Sequence, residues 1–402
     1  VTHPIHALFA RHWRPTPTLV AAGLLAALYY GFTGGLWAVT GEFTRWGGNL
    51  LQLCGVDVGS WAYFKAVALK GHPWDRPDGW MIAGMFLGAM TSALASREFK
   101  FRAPARHRRW VQGLIGGLLA GFGSRLAMGC NLASFFTGLP QFSLHSWLFI
   151  VGTAFGAWIA SRLVMTAWFR GAPKLSETPV YVVAQAATSR ASFAGLFGVA
   201  VLLALAMLNL YLGHAKFAGV MVAGAAFGVL LQRGQICFTS ALRDLWLTGR
   251  TTMAKAIILG MAAQTVITAI LIARGMTPII HWASPGALFG GVMFGLGIVI
   301  AGGCETGWMY RLMEGQTHFV AVALGNVIGA TVLAYGWDHW GLAQTLAVAW
   351  PEIDLVKTLG MTGALAATFA FLAACYAFVV FREARYLQTV RRPAVTPLTS
   401  EA

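Results

Sequence analysis

Between Thr358 and Val380 the chain runs for 23 residues without a charge, and Ala254 to Ile272 and Phe193 to Leu212 are nearly as bare, with one lysine between them. An apolar run of roughly 18 or more residues is what crossing a hydrocarbon core of about 30 Å requires. Backbone polar groups at that depth must be satisfied internally, which leaves helices or a closed barrel. A barrel needs strands of about ten residues with alternating polarity, and these unbroken runs are not that. The chain therefore reads as an all-α polytopic membrane protein, in keeping with 57% hydrophobic and 11% charged residues and a mean hydropathy of +0.65.

A formal charge of +15 would suggest nucleic acid in a soluble domain, but here the basic residues crowd into short loops and tails. Membrane topology accounts for that without nucleic acid. The densest run, SREFKFRAPARHRRW, holds Arg97, Lys100, Arg102, Arg106, Arg108 and Arg109, and the positive-inside rule places it in the cytoplasm. Five cysteines, none in a CxxC or Cys/His zinc spacing, argue against a metal site and against a disulfide scaffold. No Walker A, GxSxG or HExxH pattern occurs, so neither an ATP-driven motor, a hydrolase nor a bound cofactor is expected. The basic start, with Arg11 and Arg14, leads into an apolar segment read as an uncleaved first helix.

Ten spans are expected: Thr18 to Ala38, Trp80 to Ala95, Val111 to Met128, Leu144 to Trp168, Phe193 to Leu212, Phe217 to Leu231, Ala254 to Ile272, Gly286 to Ala301, Phe319 to Tyr335 and Thr358 to Val380. The polar, proline-punctuated stretch 171–191 reads as a cytoplasmic linker. It separates a first membrane repeat at 1–170 from 192–384, which carries an extra helix, a second repeat and a closing helix; 385–402 is then a cytoplasmic tail.

The repeat is visible in GGLLAGFGSRLAMGC, from Gly116 to Cys130, and GGVMFGLGIVIAGGC, from Gly290 to Cys304, which share seven of fifteen positions at an offset of 174. A shift of 173 aligns GTAFGA at Gly152 with GNVIGA at Gly325, and a longer one aligns EFT at Glu42 with CFT at Cys237. Two units of four helices separated by one odd helix have opposite orientations. The basic loop after the second span accordingly corresponds to the uncharged MTPIIHWASP. The expectation is an inverted repeat with short re-entrant or broken helices, about nine to ten spans, N- and C-termini cytoplasmic, and a path at the repeat interface.

Four breaks follow from the repeat: GEFTRW, GCNLASFF, GQICFTSA and GCETGWMYR, the first pair approaching from one side and the second pair from the other. They would bring Glu42, Cys130, Cys237 and Cys304 towards one axis. A buried cysteine in a membrane helix ordinarily serves as a small packing residue, the role expected of Cys54 and Cys375. Cys130 and Cys304 differ, because they recur at one repeat position beside glycine. Sulfur is polarizable, weakly hydrogen-bonding as a thiol and nucleophilic when ionised, which suits a soft sulfur- or selenium-bearing solute. Arg125 is costly at depth unless it snorkels or faces an interior, where it would attract an anion or pair with Glu42 or Glu305. Asn131 and Glu305 follow the two cysteines directly and would donate to, or repel, an anionic solute. Gly117/Gly121 and Gly291/Gly295 form GxxxG patterns for close helix packing.

GCNLASFFTG, RGQICFTSALRD and AGGCETGWMYR closely resemble motifs of the YeeE/YedE family of bacterial inner-membrane proteins, and GLWAVTGEFTRWGG resembles the YedE branch in particular. The resemblance covers nearly the whole chain. It implies thiosulfate uptake as in the YeeE branch, or selenium transport as proposed for the YedE branch. It also implies cysteines that pass the anion along, a role falling here on Cys130, Cys304 and Cys237. A small cytosolic sulfur carrier of the TusA/SirA type is implied as a partner. The sequence departs at the first break, where Glu42 stands at the position of Cys237; a carboxylate there would repel a dianion unless protonated or paired. The expected function is import of a small selenium- or sulfur-containing species across the inner membrane, without enzymatic chemistry. The alternative is a membrane-embedded thiol enzyme that transfers sulfur or selenium to a soluble carrier.

Overall fold

The computed structural model describes residues 11–67, 69–170 and 189–391, so most of the expected linker and the end of the tail lie outside the described residues. Among the described residues every regular element is a helix or helical turn, with isolated bridges as the only β pairing. Along the first half run α1 (Pro15–Thr33), α2 (Thr40–Leu53), α3 (Pro77–Ala95), α4 (Arg108–Leu126), a π turn (Asn131–Phe136) and α5 (Leu144–Leu163). Then come α6 (Ser189–Tyr211), α7 (Ala215–Gly234), α8 (Phe238–Leu247), α9 (Thr252–Ala273), α10 (Pro285–Ala301), α11 (Glu305–Met313), α12 (Phe319–His339) and α13 (Leu355–Arg391).

Among the described residues seven helical stretches are long and apolar enough to cross a membrane: α1, α5, α7 with α8, α9, α10 with α11, α12, and α13. The chain is a multi-pass α-helical membrane protein. Helices α3, α4 and α6, expected as further spans, fall short in mean apolarity or described length but pack against the seven. Several boundaries differ from expectation, and α13 runs on to Arg391, past the expected end at Val380. Helix α1 ends at Thr33, not Ala38, because Gly34 takes a left-handed φ of 72° and closes the helix with its N–H on the Tyr30 carbonyl. Helix α5 ends at Leu163 and a separate short turn carries Trp168.

Glycine sets how the helices meet. A Cβ on Gly116 would lie 2.4 Å from the Ala301 nitrogen and 2.6 Å from the Gly297 oxygen, and one on Gly123 would lie 2.5 Å from the Gly290 oxygen. The crossing of α4 and α10 is thus backbone on backbone, and since Gly116 meets Gly297 while Gly123 meets Gly290, the two helices run antiparallel. Gly290 and Gly297 are the counterparts of Gly116 and Gly123 at the 174-residue offset. Each position therefore touches the counterpart of the other.

The same exchange runs through the neighbouring pairs. Gly152 of α5 abuts the Leu288 oxygen of α10, and Gly325 of α12 abuts the Leu114 oxygen of α4. Helix α3 packs on α7 as α9 packs on α1. These contacts fix the frame in which the broken helices end.

Candidate functional site

Three helices stop inside the bundle by the same device. Met128, Gly302 and Gln235 have left-handed φ values of 55°, 76° and 49°. Each lies two residues before a cysteine, Cys130, Cys304 and Cys237 respectively, whose extended backbone then starts the π turn, α11 and α8. A left-handed residue ends a helix, and the next one begins with amide N–H groups that have no partner within it. Helix α2 starts after Val39 without that device, since Val39 is not extended and no left-handed residue stands two positions before it.

Side chains from the other tips meet those amides. The Cys304 Sγ accepts the Phe238 N–H at 3.1 Å, at the first residue of α8, and the Asn131 Oδ1 accepts the Glu305 N–H at 3.3 Å, at the first residue of α11. The Cys304 thiol also approaches the Cys237 sulfur at 3.9 Å and the Thr306 hydroxyl at 3.1 Å. Gly307 leaves the room for this, since a Cβ there would sit 2.6 Å from the Cys237 sulfur. All three cysteines are at most 1% exposed.

Glu305 is buried and held at both oxygens, by Asn326 Nδ2 and Trp308 Nε1, each at 2.6 Å. It neighbours Cys130, as does the Thr40 hydroxyl. The Asn131 Nδ2 is buried with no hydrogen-bond partner, a donor held among the tips. Such a group costs free energy unless something accepts from it.

Arg125 is buried, but pairs with neither Glu42 nor Glu305. Its Nε donates to the Tyr63 hydroxyl at 2.6 Å and its Nη1 to the Thr40 hydroxyl at 3.1 Å. Glu42 lies on the part of α2 that faces the 69–76 loop, where Arg76 donates to its two oxygens at 2.6 and 3.0 Å; Arg45 donates to it at 3.2 Å and the Trp46 indole at 3.0 Å. Arg45 continues to Asp78 at 2.8 Å. The carboxylate at the first break is thus offset by two guanidiniums.

Of the seven expected site residues, Cys237, Cys304, Asn131 and Glu305 join directly, Cys130 stands beside Glu305, and Arg125 reaches the tips through Thr40. Glu42 belongs to the Arg76 cluster instead. Cys54 is exposed, and Cys375 lines an apolar groove between α5, α8, α9 and α13. Sequence reasoning passed over Thr40, Tyr63, Arg76, Thr306 and Asn326. A signal existed for Asn326, since the 173-residue shift sets it opposite Thr153, a polar residue in another span.

Helices broken inside a membrane bundle, with amide-bearing starts and thiols at one buried junction, define a membrane transporter class. A family model described as sulphur transport matches residues 2–159 and 233–401, and the chain belongs to that family. It is 48% identical to the probable transporter YedE of Escherichia coli over 95% of this chain and 96% of that one, and 46% identical to the YedE of Salmonella typhimurium over 96% of each. The thiosulfate transporter TsuA of Escherichia coli is 33% identical over 35% of this chain and 44% of its own length. No solved structure matches. The resemblance read in the motifs is borne out, and relatives named as transporters agree with a protein that is not an enzyme.

Proposed function

We propose that this protein imports a small sulfur- or selenium-containing anion across the bacterial inner membrane, passing it along Cys130, Cys304 and Cys237. The observation that carries the reading is the buried meeting of Cys237 and Cys304 at the starts of α8 and α11, with amide donors and the unpartnered Asn131 Nδ2 beside them. Helix starts favour negative charge, and thiols offer polarizable, weakly donating groups to a soft anion. Relay needs no covalent capture. The thiosulfate named for the TsuA relatives is one cargo of this chemistry; the Arg76 and Arg45 pairing of Glu42 removes the charge objection to a dianion at the first break.

The reading includes an inverted repeat, supported by the antiparallel α4–α10 crossing and by contacts that interchange at the 174-residue offset. The family model matches two segments of the chain, 2–159 and 233–401, and the 171–191 linker, α6 and most of α7 lie between them. Both termini are assigned to the cytoplasm from the basic loops, and a TusA-like carrier would receive the cargo there.

Growth and isotope uptake on thiosulfate, selenite and sulfide, in a strain lacking other importers, test the cargo. Uptake is expected to fall to background in the Cys130→Ala/Cys304→Ala variant at normal expression. Undiminished uptake in that variant would end the relay reading.

A further inference from the structure

Two arginines hold the last turn of α10, where one would suffice. Arg109 donates to the Ile300 oxygen at 3.3 Å and the Ala301 oxygen at 2.8 Å, and Arg311 Nη1 donates to the Gly302 oxygen at 3.0 Å. Those carbonyls are consecutive, so the two guanidiniums stand side by side on the turn that leads into Cys304. The Arg311 guanidinium also lies over the Phe319 ring, 6.0 Å from its centroid, and the His318 ring lies against the same phenyl at 4.1 Å. Arg243 adds a further positive charge felt by Arg109.

Among the described residues no carboxylate pairs with Arg109 or Arg311. Arg243 pairs with Asp244 at 2.8 Å, and Glu314 is engaged by Gln232 and Gln235 at 3.1 and 2.8 Å. Among the described residues Arg109 and Arg311 form no ion pair, the Arg311 Nη2 makes no hydrogen bond, and the His318 Nε2 is buried without a partner. Cations at a helix C-terminus are stabilising because they meet its free carbonyls. That accounts for one guanidinium, but not for a second beside it and a buried ring nitrogen with nothing to bond. Clustered like charges repel, and an anion among them offsets the cost.

We propose that Arg109, Arg311 and His318 form a binding site for a divalent sulfur or selenium oxyanion, the station next to the Cys237–Cys304 pair on the face that carries the basic 97–109 loop. This rests on the transport reading. Arg311 lies two turns along α11 from Cys304, about 10 Å of helix rise, so its charge draws an anion off the thiols towards the loop. Its Nε and Nη1 are engaged by the Tyr310 hydroxyl and the Gly302 carbonyl, and the N–H groups of its Nη2 are left for an oxyanion, with the His318 nitrogen for a further oxygen.

The test uses the full chain in nanodiscs of zwitterionic lipid, with thiosulfate binding measured by calorimetry. A Cys237→Ala/Cys304→Ala background isolates this site from the thiols. Thiosulfate is expected to bind that background, and adding R311Q or R109Q should weaken it by about tenfold, the loss of a charge-assisted contact. R311K, which keeps the charge, should lose less, and H318N should weaken binding without moving the thermal midpoint. Glutamine still donates to a carbonyl, so R311Q separates anion binding from helix capping. R311Q binding like its parent, no binding in the thiol-less background, or occupation by anionic lipid but not by thiosulfate would each overturn the site. Uptake by the wild-type chain in vesicles is measured alongside. Its absence would count against transport itself, whereas transport with R311Q indifferent counts against this site alone.

Discussion

The Cys304 thiol donates towards the Cys237 sulfur across 3.9 Å, although the two lie 67 residues apart in sequence. They come from the starts of two different half-helices, α11 and α8. The junction therefore depends on both tips holding position at once. A disulfide bond of about 2.05 Å would require the sulfurs to close by roughly 2 Å. Diamide takes up the two thiol hydrogens as it is reduced to the hydrazine, joining the sulfurs. Uptake is expected to stop on oxidation and to return with dithiothreitol, while a Cys237→Ser variant keeps its residual uptake unchanged by diamide. Full uptake with the pair crosslinked, verified by loss of alkylation at both residues, would remove them from the path.

Glu42 and Arg76 form a buried ion pair, 1% and 7% exposed. Removing one partner of such a pair costs about 3–5 kcal/mol, because the other charge is left behind. Arg76→Ala should fall at or below the low end of that range, since Arg45 still meets Glu42, and Glu42→Gln should be milder than Glu42→Leu. Thermal midpoints in detergent check the order. A double E42Q/R76Q variant is expected to lose less than the sum of the singles.

Alanine at Gly116 or Gly290 forces a methyl group into backbone at 2.4 to 2.6 Å. Overpacking of this kind costs about 1–3 kcal/mol, and more where only backbone can yield. Because the contacts interchange at the 174-residue offset, the two variants should lose stability by similar amounts. Gly34→Ala, where nothing lies within 4 Å, is expected to cost only the left-handed strain. Yields of folded protein by size-exclusion chromatography separate the cases.

His281 and His318, both in loops, are pushed down to about 4 from 6.5, first by burial and then by Arg125 for His281 and by Arg109 and Arg311 for His318. The unfolded chain takes up these protons first. Stability is therefore complete above pH 6.5 and falls as the pH drops from 6.5 towards 4. The detergent thermal midpoint should follow that course, and the H281Q/H318Q variant should show a flatter profile.

Much of this was open in the sequence because apolar length and glycine spacing are local properties. The tips at Cys130 and Cys304 announce themselves through Gly-Cys at a fixed offset, whereas the stop of α1 at Gly34 falls inside the span expected to reach Ala38, although one glycine carries it. Partners were less legible. Nothing near Glu42 in sequence singles out Arg76, which reaches it only because the 69–76 loop folds back over α2. Arg125 finds Tyr63 and Thr40 for the same reason: a hydroxyl carries no charge pattern, and its role appears only when three separate segments meet. Thr306 is equally silent until Cys304 lies against it.

At Gly116, Gly123, Gly290 and Gly297 the α4–α10 crossing sets backbone against backbone, with the Cβ atoms of Ala127 and Met293 the nearest side-chain atoms. A surface made of carbonyls and amides has nothing to exchange; substitution there decides only whether it closes. The tips differ, for each offers the cargo a few atoms on a replaceable residue. Cargo preference can drift by swapping those residues while the scaffold keeps its shape, so the division of labour between a mute frame and a few speaking atoms is built into the chain.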